Sequence, residues 1–200
     1  MKNTVLTIDT VYAQLRTTVK VYGSHPFLHI PRQATRAYQN AAIDFSYDEM
    51  CAAVEQAREC YLQAGYGAGH RVALALENRL EFFVHFFALN GLGVCVVPVN
   101  ADFVCDEIAY LIDDSDVSVV ITLPDHEHRI NEAKASIARV VEVLCIDNLE
   151  NLPAPPAVDL STIKTGLKAE ATILYTSGTT GKPKGCVLAN EFFFVSDIGT

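Results

Sequence analysis

Positive charge is in short supply in this sequence. Its 200 residues carry 15 lysines and arginines against 24 aspartates and glutamates, a formal net charge of −9. A balance of that sign argues against nucleic acid and anionic membrane surfaces as general partners. A polyanionic ligand would need a local positive site. The six cysteines, at 51, 60, 95, 105, 145 and 186, include no C-x-x-C pair, which excludes zinc-ribbon and dithiol redox spacing. No signal peptide opens the chain, so reduced and mostly buried thiols in a cytoplasmic protein are expected rather than disulfides. Long apolar runs are missing too. The most apolar window, Phe82 to Val99, is broken by His85, Asn90, Gly91, Gly93 and Pro98. It reads as a helix followed by a buried strand, not as a transmembrane segment. No internal repeat and no low-complexity tract is present.

Half of the residues are hydrophobic, enough for a substantial core. Residues 1–42 are weakly patterned, with an amphipathic helix over Val11 to Tyr22 and breaks at Pro26 and Pro31. Ser46-Tyr47-Asp48-Glu49 is a capping box, and the apolar spacing of Met50, Val54, Ala57, Tyr61 and Leu62 continues it as a helix that Gly65 can end. From there strands and helices alternate. Strands are expected at Val72 to Leu76, Val94 to Val99, Val117 to Thr122 and Val140 to Ile146. Helices are expected at Phe82 to Leu89 (capped by Asn78), Phe103 to Ile112 and Asp125 to Ala138. Alternation with short links implies an α/β fold, a mainly parallel sheet flanked by helices. Asp147 to Lys168, with Pro153, Pro155 and Pro156, reads as an irregular surface connection.

After it, a buried strand, Ala171 to Tyr175, leads into Thr176-Ser177-Gly178-Thr179-Thr180-Gly181-Lys182-Pro183-Lys184-Gly185, and a second β-prone run follows at Cys186 to Ala189. The chemistry of this strand–loop–strand unit suits a polyphosphate. Gly178, Gly181 and Gly185 permit unusual turns and close approach, and successive N–H groups in such turns form an anion nest. Thr176, Ser177, Thr179 and Thr180 offer hydroxyl donors, Lys182 and Lys184 supply charge, and Pro183 stiffens the turn. The bland alternative is a ligand-free glycine-rich turn; the loop's length, its hydroxyls and its two lysines weigh against it. It is not a Walker A loop, because Gly178 and Gly181 are too close and Pro183 stands at the Ser/Thr position. No Rossmann fingerprint is present either.

Tyr175 to Gly185, YTSGTTGKPKG, resembles the signature of the adenylate-forming superfamily, which includes acyl-CoA synthetases, luciferases and peptide-synthetase adenylation domains. Ile43 to Met50, Gly69 to Leu74 with Glu77-Asn78, Phe87 to Asn100 and Glu107 to Leu111 resemble further segments of that family in the same order. His70 stands where the family usually has an acid, a departure expected to matter little. The resemblance implies ATP-dependent activation of a carboxylic acid to an acyl-adenylate, then transfer to coenzyme A, with Mg²⁺ assisting. It assigns Thr176, Ser177, Gly178, Thr179, Thr180, Gly181, Lys184 and Gly185 to the β- and γ-phosphates. Lys184 matches the family's fixed lysine, whereas Lys182 falls at a variable position. It also implies a segment over 1–42 followed by a partial adenylation domain over 43–200. The family's adenine, ribose, hinge and catalytic-lysine motifs find no match here, so residues 1–200 alone are expected to be inactive and to associate or dimerise through exposed surface. The alternatives are a non-catalytic remnant, an amino-acid adenylation domain or a luciferase-like enzyme. A reading frame continuing past Thr200 into the missing motifs, or a stop codon there, would discriminate the enzyme from the remnant.

Four other features invite a chemical role. His126-Glu127-His128 with Glu132 could bind metal, but positions two apart on a helix point apart, so a solvated helix start is expected. His85, on an apolar helix, is expected to be a satisfied core or boundary histidine. Asp113, Asp114 and Asp116 read as a solvated turn, and Cys186 as a packing residue.

Overall fold

The computed structural model describes residues 8–32, 41–100, 102–176 and 182–194. Helix α1 (Val11–Tyr22) is capped by Thr10, whose side chain accepts from the Ala13 amide. Strands β1 (Pro26–Ile30) and β2 (Ile43–Ser46) form a small antiparallel pair. The prolines were expected to break the chain, yet Pro26 starts a strand, a place in a two-stranded pair where a missing N–H is tolerated. The capping box closes as expected. Ser46 Oγ accepts from the Glu49 amide at 3.2 Å, and Glu49 Oε2 accepts from the Ser46 amide at 2.8 Å. Helix α2 (Tyr47–Ala64) then runs to Gly65, whose φ of 97° is the left-handed cap that a side chain would resist.

The main sheet is built from β3 (Arg71–Ala75), β4 (Cys95–Pro98), β5 (Val119–Thr122), β6 (Glu142–Cys145), β7 (Glu170–Thr176) and β8 (Lys184–Ala189), in the order β6-β5-β3-β4-β7-β8. Every neighbouring pair is parallel except the β7–β8 hairpin. Helices α3 (Leu80–Asn90), α4 (Cys105–Asp114) and α5 (Pro124–Lys134) make the crossovers. The central strands β3, β4 and β5 are buried on both faces, and their two-residue period divides the core. Val72, Leu74 and Leu76 join Met50, Val54 and Tyr61 of α2 and Leu89 of α3. Ala73 and Ala75 join Ile108 and Ile112 of α4 and Ile130 of α5. The mainly parallel, helix-flanked sheet read from the alternation is therefore the fold.

Local details differ from expectation where tertiary contacts decide them. Arg79, not Asn78, precedes α3, without a side-chain cap. Helix α5 stops at Lys134, four residues before Ala138. The 147–168 connection contains short 3-10 turns at Ile146–Asn151, Leu160–Thr162 and Gly166–Lys168. His70 has a larger role than expected: Nδ1 accepts from the Gly67 amide at 3.0 Å, and Nε2 lies 2.9 Å from the Pro156 carbonyl, to which it can donate. An aspartate there could not donate, so this histidine pins the proline-rich connection against the start of β3.

Two buried asparagines join distant parts of the chain. Asn90 Oδ1 accepts from the Tyr12 amide at 3.0 Å, and its Nδ2 donates to Asn190 Oδ1 at 2.8 Å. Asn190 Nδ2 donates in turn to the Gly166 carbonyl at 3.0 Å. Beside them the Tyr12 ring lies on Gly91, so close that a Cβ there would stand 2.7 Å from Tyr12 Cγ. Gly91 has ordinary helical dihedrals, so the constraint is space rather than backbone freedom. Gly91→Ala is therefore expected to lower stability by about 1–3 kcal/mol through overpacking, measurable as a lower urea midpoint with an unchanged slope.

Candidate functional site

Strand β7 is held deeply at its first half and freed at its second. Ala171, Thr172 and Ile173 are buried, and Thr172 Oγ1 donates to the Val96 carbonyl of β4 at 2.7 Å. Beyond that point β7 pairs with β8 alone, with Tyr175 opposite Gly185 and Thr176 opposite Lys184. Because β7 is parallel to β3, β4 and β5, the hairpin opens at the carboxyl ends of those strands. Thr176 and Lys184 face each other, both exposed, at the two ends of the loop. Ser177, Gly178, Thr179, Thr180 and Gly181 lie outside the described residues.

The stems of the hairpin are tied to the last turn of α4. Tyr175 OH donates to Asp114 Oδ2 at 2.7 Å, and Tyr110 OH donates to Asp114 Oδ1 at 3.3 Å. Burial first, and then the Asp114 carboxylate, hold the Tyr175 phenol well above its usual range, so it stays a protonated donor. Lys182 Nζ sits over the Tyr110 ring, 5.0 Å from its centroid. Gly185 lies inside β8, and a Cβ there would meet Tyr175 Cζ at 3.0 Å. Its smallness lets the tyrosine ring lie across the hairpin, a reason separate from the turn freedom read in the sequence. The aspartate cluster is thus more than a solvated turn. Asp114 receives two phenols, and Asp113 accepts from Arg139 Nε at 3.2 Å.

An open cleft of about 1050 Å³ also lies at the carboxyl ends of the strands, lined by Glu77, Asn78, Arg79, Asn100 and Asp125 among others. The chain passes from β3 to β4 on one side and then back to β5 on the other. The cleft therefore sits at the switch point where open α/β sheets bind ligands. Its carboxylates, Glu77, Glu81, Asp102, Asp125 and Asp147, outnumber Arg79, whose Nη2 is already paired with Glu81 at 3.0 Å. Such walls disfavour a polyphosphate.

The remaining candidates are placed as follows. His126 Nε2 lies 2.8 Å from Glu77 Oε1, an ion pair when the ring is protonated. Among the described residues no three metal-ligating side chains converge. Cys186 was read as a packing residue; it is exposed on β8, and of the six thiols only Cys95 and Cys145 are buried. Among the described residues no helix is long and apolar enough to cross a membrane. His85 is a core residue, 5% exposed, with Nδ1 2.9 Å from Tyr61 OH.

Burial lowers the His85 pKa from 6.5 to about 4. The unfolded chain thus takes up a proton between those values while the folded one resists it. Stability is full above pH 6.5 and falls by about 3 kcal/mol as the pH drops to 4. In His85→Gln, whose amide can still pair with Tyr61, that fall should flatten; the check is the urea midpoint measured from pH 7.5 to 4.

Comparison with known proteins agrees with this geometry. A family model described as "AMP-binding enzyme" matches residues 21–196. A long-chain-fatty-acid–CoA ligase of Mycobacterium tuberculosis is 29% identical over 164 residues, covering 80% of this chain and 33% of that protein. A crotonobetaine/carnitine–CoA ligase of Salmonella heidelberg is 30% identical over 164 residues, covering 73% and 31%. Among solved structures, the inhibitor-bound N-terminal domain of FACL13 from Mycobacterium tuberculosis matches with a TM-score of 0.70 and 27% identity, over 92% of this chain and 45% of that one. The chain spans about a third of the length of the curated relatives it matches. The chain therefore belongs to the AMP-binding enzyme family and has the fold of the N-terminal domain of adenylate-forming enzymes.

Proposed function

We propose that this chain serves the ATP-dependent activation of a carboxylic acid. The substrate carboxylate attacks the α-phosphorus of ATP, pyrophosphate leaves, and the acyl group of the resulting adenylate then passes to the thiol of coenzyme A. The observation that carries this reading is the hairpin itself. A Gly/Ser/Thr loop flanked by Thr176 and Lys184 opens at the carboxyl end of a parallel sheet, beside an acidic cleft that would repel phosphate. In this reading Thr176, Ser177, Gly178, Thr179, Thr180, Gly181, Lys184 and Gly185 hold the β- and γ-phosphates, and Mg²⁺ accompanies the nucleotide. Residues 43–200 are the adenylation-domain part, preceded by a segment over 1–42, in a cytoplasmic enzyme that uses no nucleic acid.

Charge neutralisation is one part of such catalysis, and alignment of carboxylate with α-phosphate is another. Residues 1–200 supply the first. Alone they are expected to bind ATP weakly and not to turn over. The test is ATP–pyrophosphate exchange by the full-length protein that contains residues 1–200, with a panel of fatty, short-chain and amino acids, followed by thioester formation with coenzyme A. Exchange that depends on an amino acid and yields no coenzyme A thioester would overturn the reading. So would residues 1–200 matching the rate of a relative of full length.

A further inference from the structure

The contacts at the two ends of the loop converge on one carboxylate. Tyr175 stands two residues before Ser177, and its hydroxyl reaches Asp114 Oδ2. Lys182 and Gly185 stand on the returning side. The first lies over the Tyr110 ring, whose hydroxyl reaches Asp114 Oδ1, and the second is covered by the Tyr175 ring. Asp114 ends α4, and α4 is anchored in the core by Ile108, Leu111 and Ile112, all 2% exposed or less. A rigid helix end thus sets both stems of a hairpin whose outer half has no other strand beside it among the described residues.

We propose that Asp114 is a positioning residue for the phosphate loop, acting through Tyr175 and Tyr110 to hold the β7–β8 stem closed and to keep Lys182 out of the anion site. This deepens the reading of the loop as the ATP-phosphate site and rests on it. The physical argument is register. Thr176 lies opposite Lys184 in the backbone register, and the Tyr175 ring against Gly185, with its hydroxyl bond to Asp114, braces that pairing. Phenols donating to both oxygens, with the Lys182 ammonium over the Tyr110 ring, also offset the carboxylate's charge. Without them a bare anion would stand beside a polyphosphate.

Asp114→Asn keeps the side chain's shape but leaves one oxygen where two accepted, and Tyr175→Phe keeps the ring on Gly185 and removes only the hydroxyl. In the full-length protein that contains residues 1–200, each is expected to raise the KM for ATP in pyrophosphate exchange about fivefold to twentyfold, with the KM for the acid and the melting temperature nearly unchanged. Because both weaken the same Tyr175–Asp114 contact, the double variant should be no worse than about the more damaging single. Tyr110→Phe, which keeps the ring under Lys182 and removes the longer, 3.3 Å bond, should raise the KM for ATP by less than Tyr175→Phe does. Deuterium uptake at Lys184–Ala189, read without any substrate, should rise in Asp114→Asn and Tyr175→Phe. If the full-length wild type that contains residues 1–200 shows no exchange with any acid, the functional reading fails and this uptake alone decides the positioning role. Unchanged KM for ATP together with unchanged uptake would overturn the proposal. So would a fall in kcat and melting temperature with no change in KM for ATP, because that is the mark of a merely structural contact.

Discussion

Lys184→Ala in the full-length protein that contains residues 1–200 is expected to lower ATP–pyrophosphate exchange on the order of a hundredfold, while Lys182→Ala stays within about threefold. Both lysines flank Pro183, and the sequence motif treats them unequally. The structure offers a physical reason for the inequality. Lys184 is exposed on the first residue of β8, directly across from Thr176, at the mouth of the loop. The Lys182 ammonium is engaged by the π face of Tyr110, an attraction of about 0.5–1 kcal/mol at such a site. It would have to leave that face to meet a phosphate. A cation poised at the loop mouth stabilises charge that grows during pyrophosphate departure, and the loss of one such group costs about 2.7–4 kcal/mol of barrier. The measurement is exchange rate against ATP concentration for both variants at matched folding. Equal losses, or a greater loss at Lys182, would reassign the phosphate lysine.

The second large effect concerns stability. Asn190→Ala is expected to cost about 3 kcal/mol and to lower the melting temperature by roughly 10 °C for a chain of this size. Asn190 and Asn90 are each 1% exposed. Removing one amide strands the other's donor and the Gly166 carbonyl in the interior, where water cannot replace the lost partner. The damage spreads because this pair joins α1 through the Tyr12 amide, the end of α3, and the turn that follows β8. Asn90→Ala should cost a similar amount, and the double variant less than the sum, since both remove the same bond. Thermal melts of the three variants decide it. A cost below about 0.5 kcal/mol for either single variant would mean that the network contributes little to the fold.

Much of the architecture was legible because it is written in short periods. Val11 to Tyr22, the Ser46–Glu49 box, Gly65 and the strand at Arg71–Ala75 depend on residues within one or two turns of each other, and all appear near where spacing placed them. Strand β1 escaped notice because Pro26 and Pro31 bracket it and its partner, β2, begins at Ile43, beyond a gap that carries no hairpin signal. The loop's residue types were legible as well, since a phosphate nest needs glycines, hydroxyls and a cation in sequence. The pairing of Asn90 with Asn190 leaves no such trace: Asn90 reads only as a break in an apolar window, and nothing near either residue announces a buried amide.

By itself, then, the sequence determined the element order and the α/β class, because each rests on interactions between residues close along the chain. Only the tertiary structure decided the strand order β6-β5-β3-β4-β7-β8, the acidic cleft at its switch point and the partners of the loop's stems. Arg71 finds Glu170 across 99 positions, Asn90 finds Asn190 across 100, and Tyr175 finds Asp114 across 61. Such pairs leave no periodic trace. Which carboxylate meets which phenol follows from how helices cross the sheet, and that crossing is set by burial of both sheet faces at once.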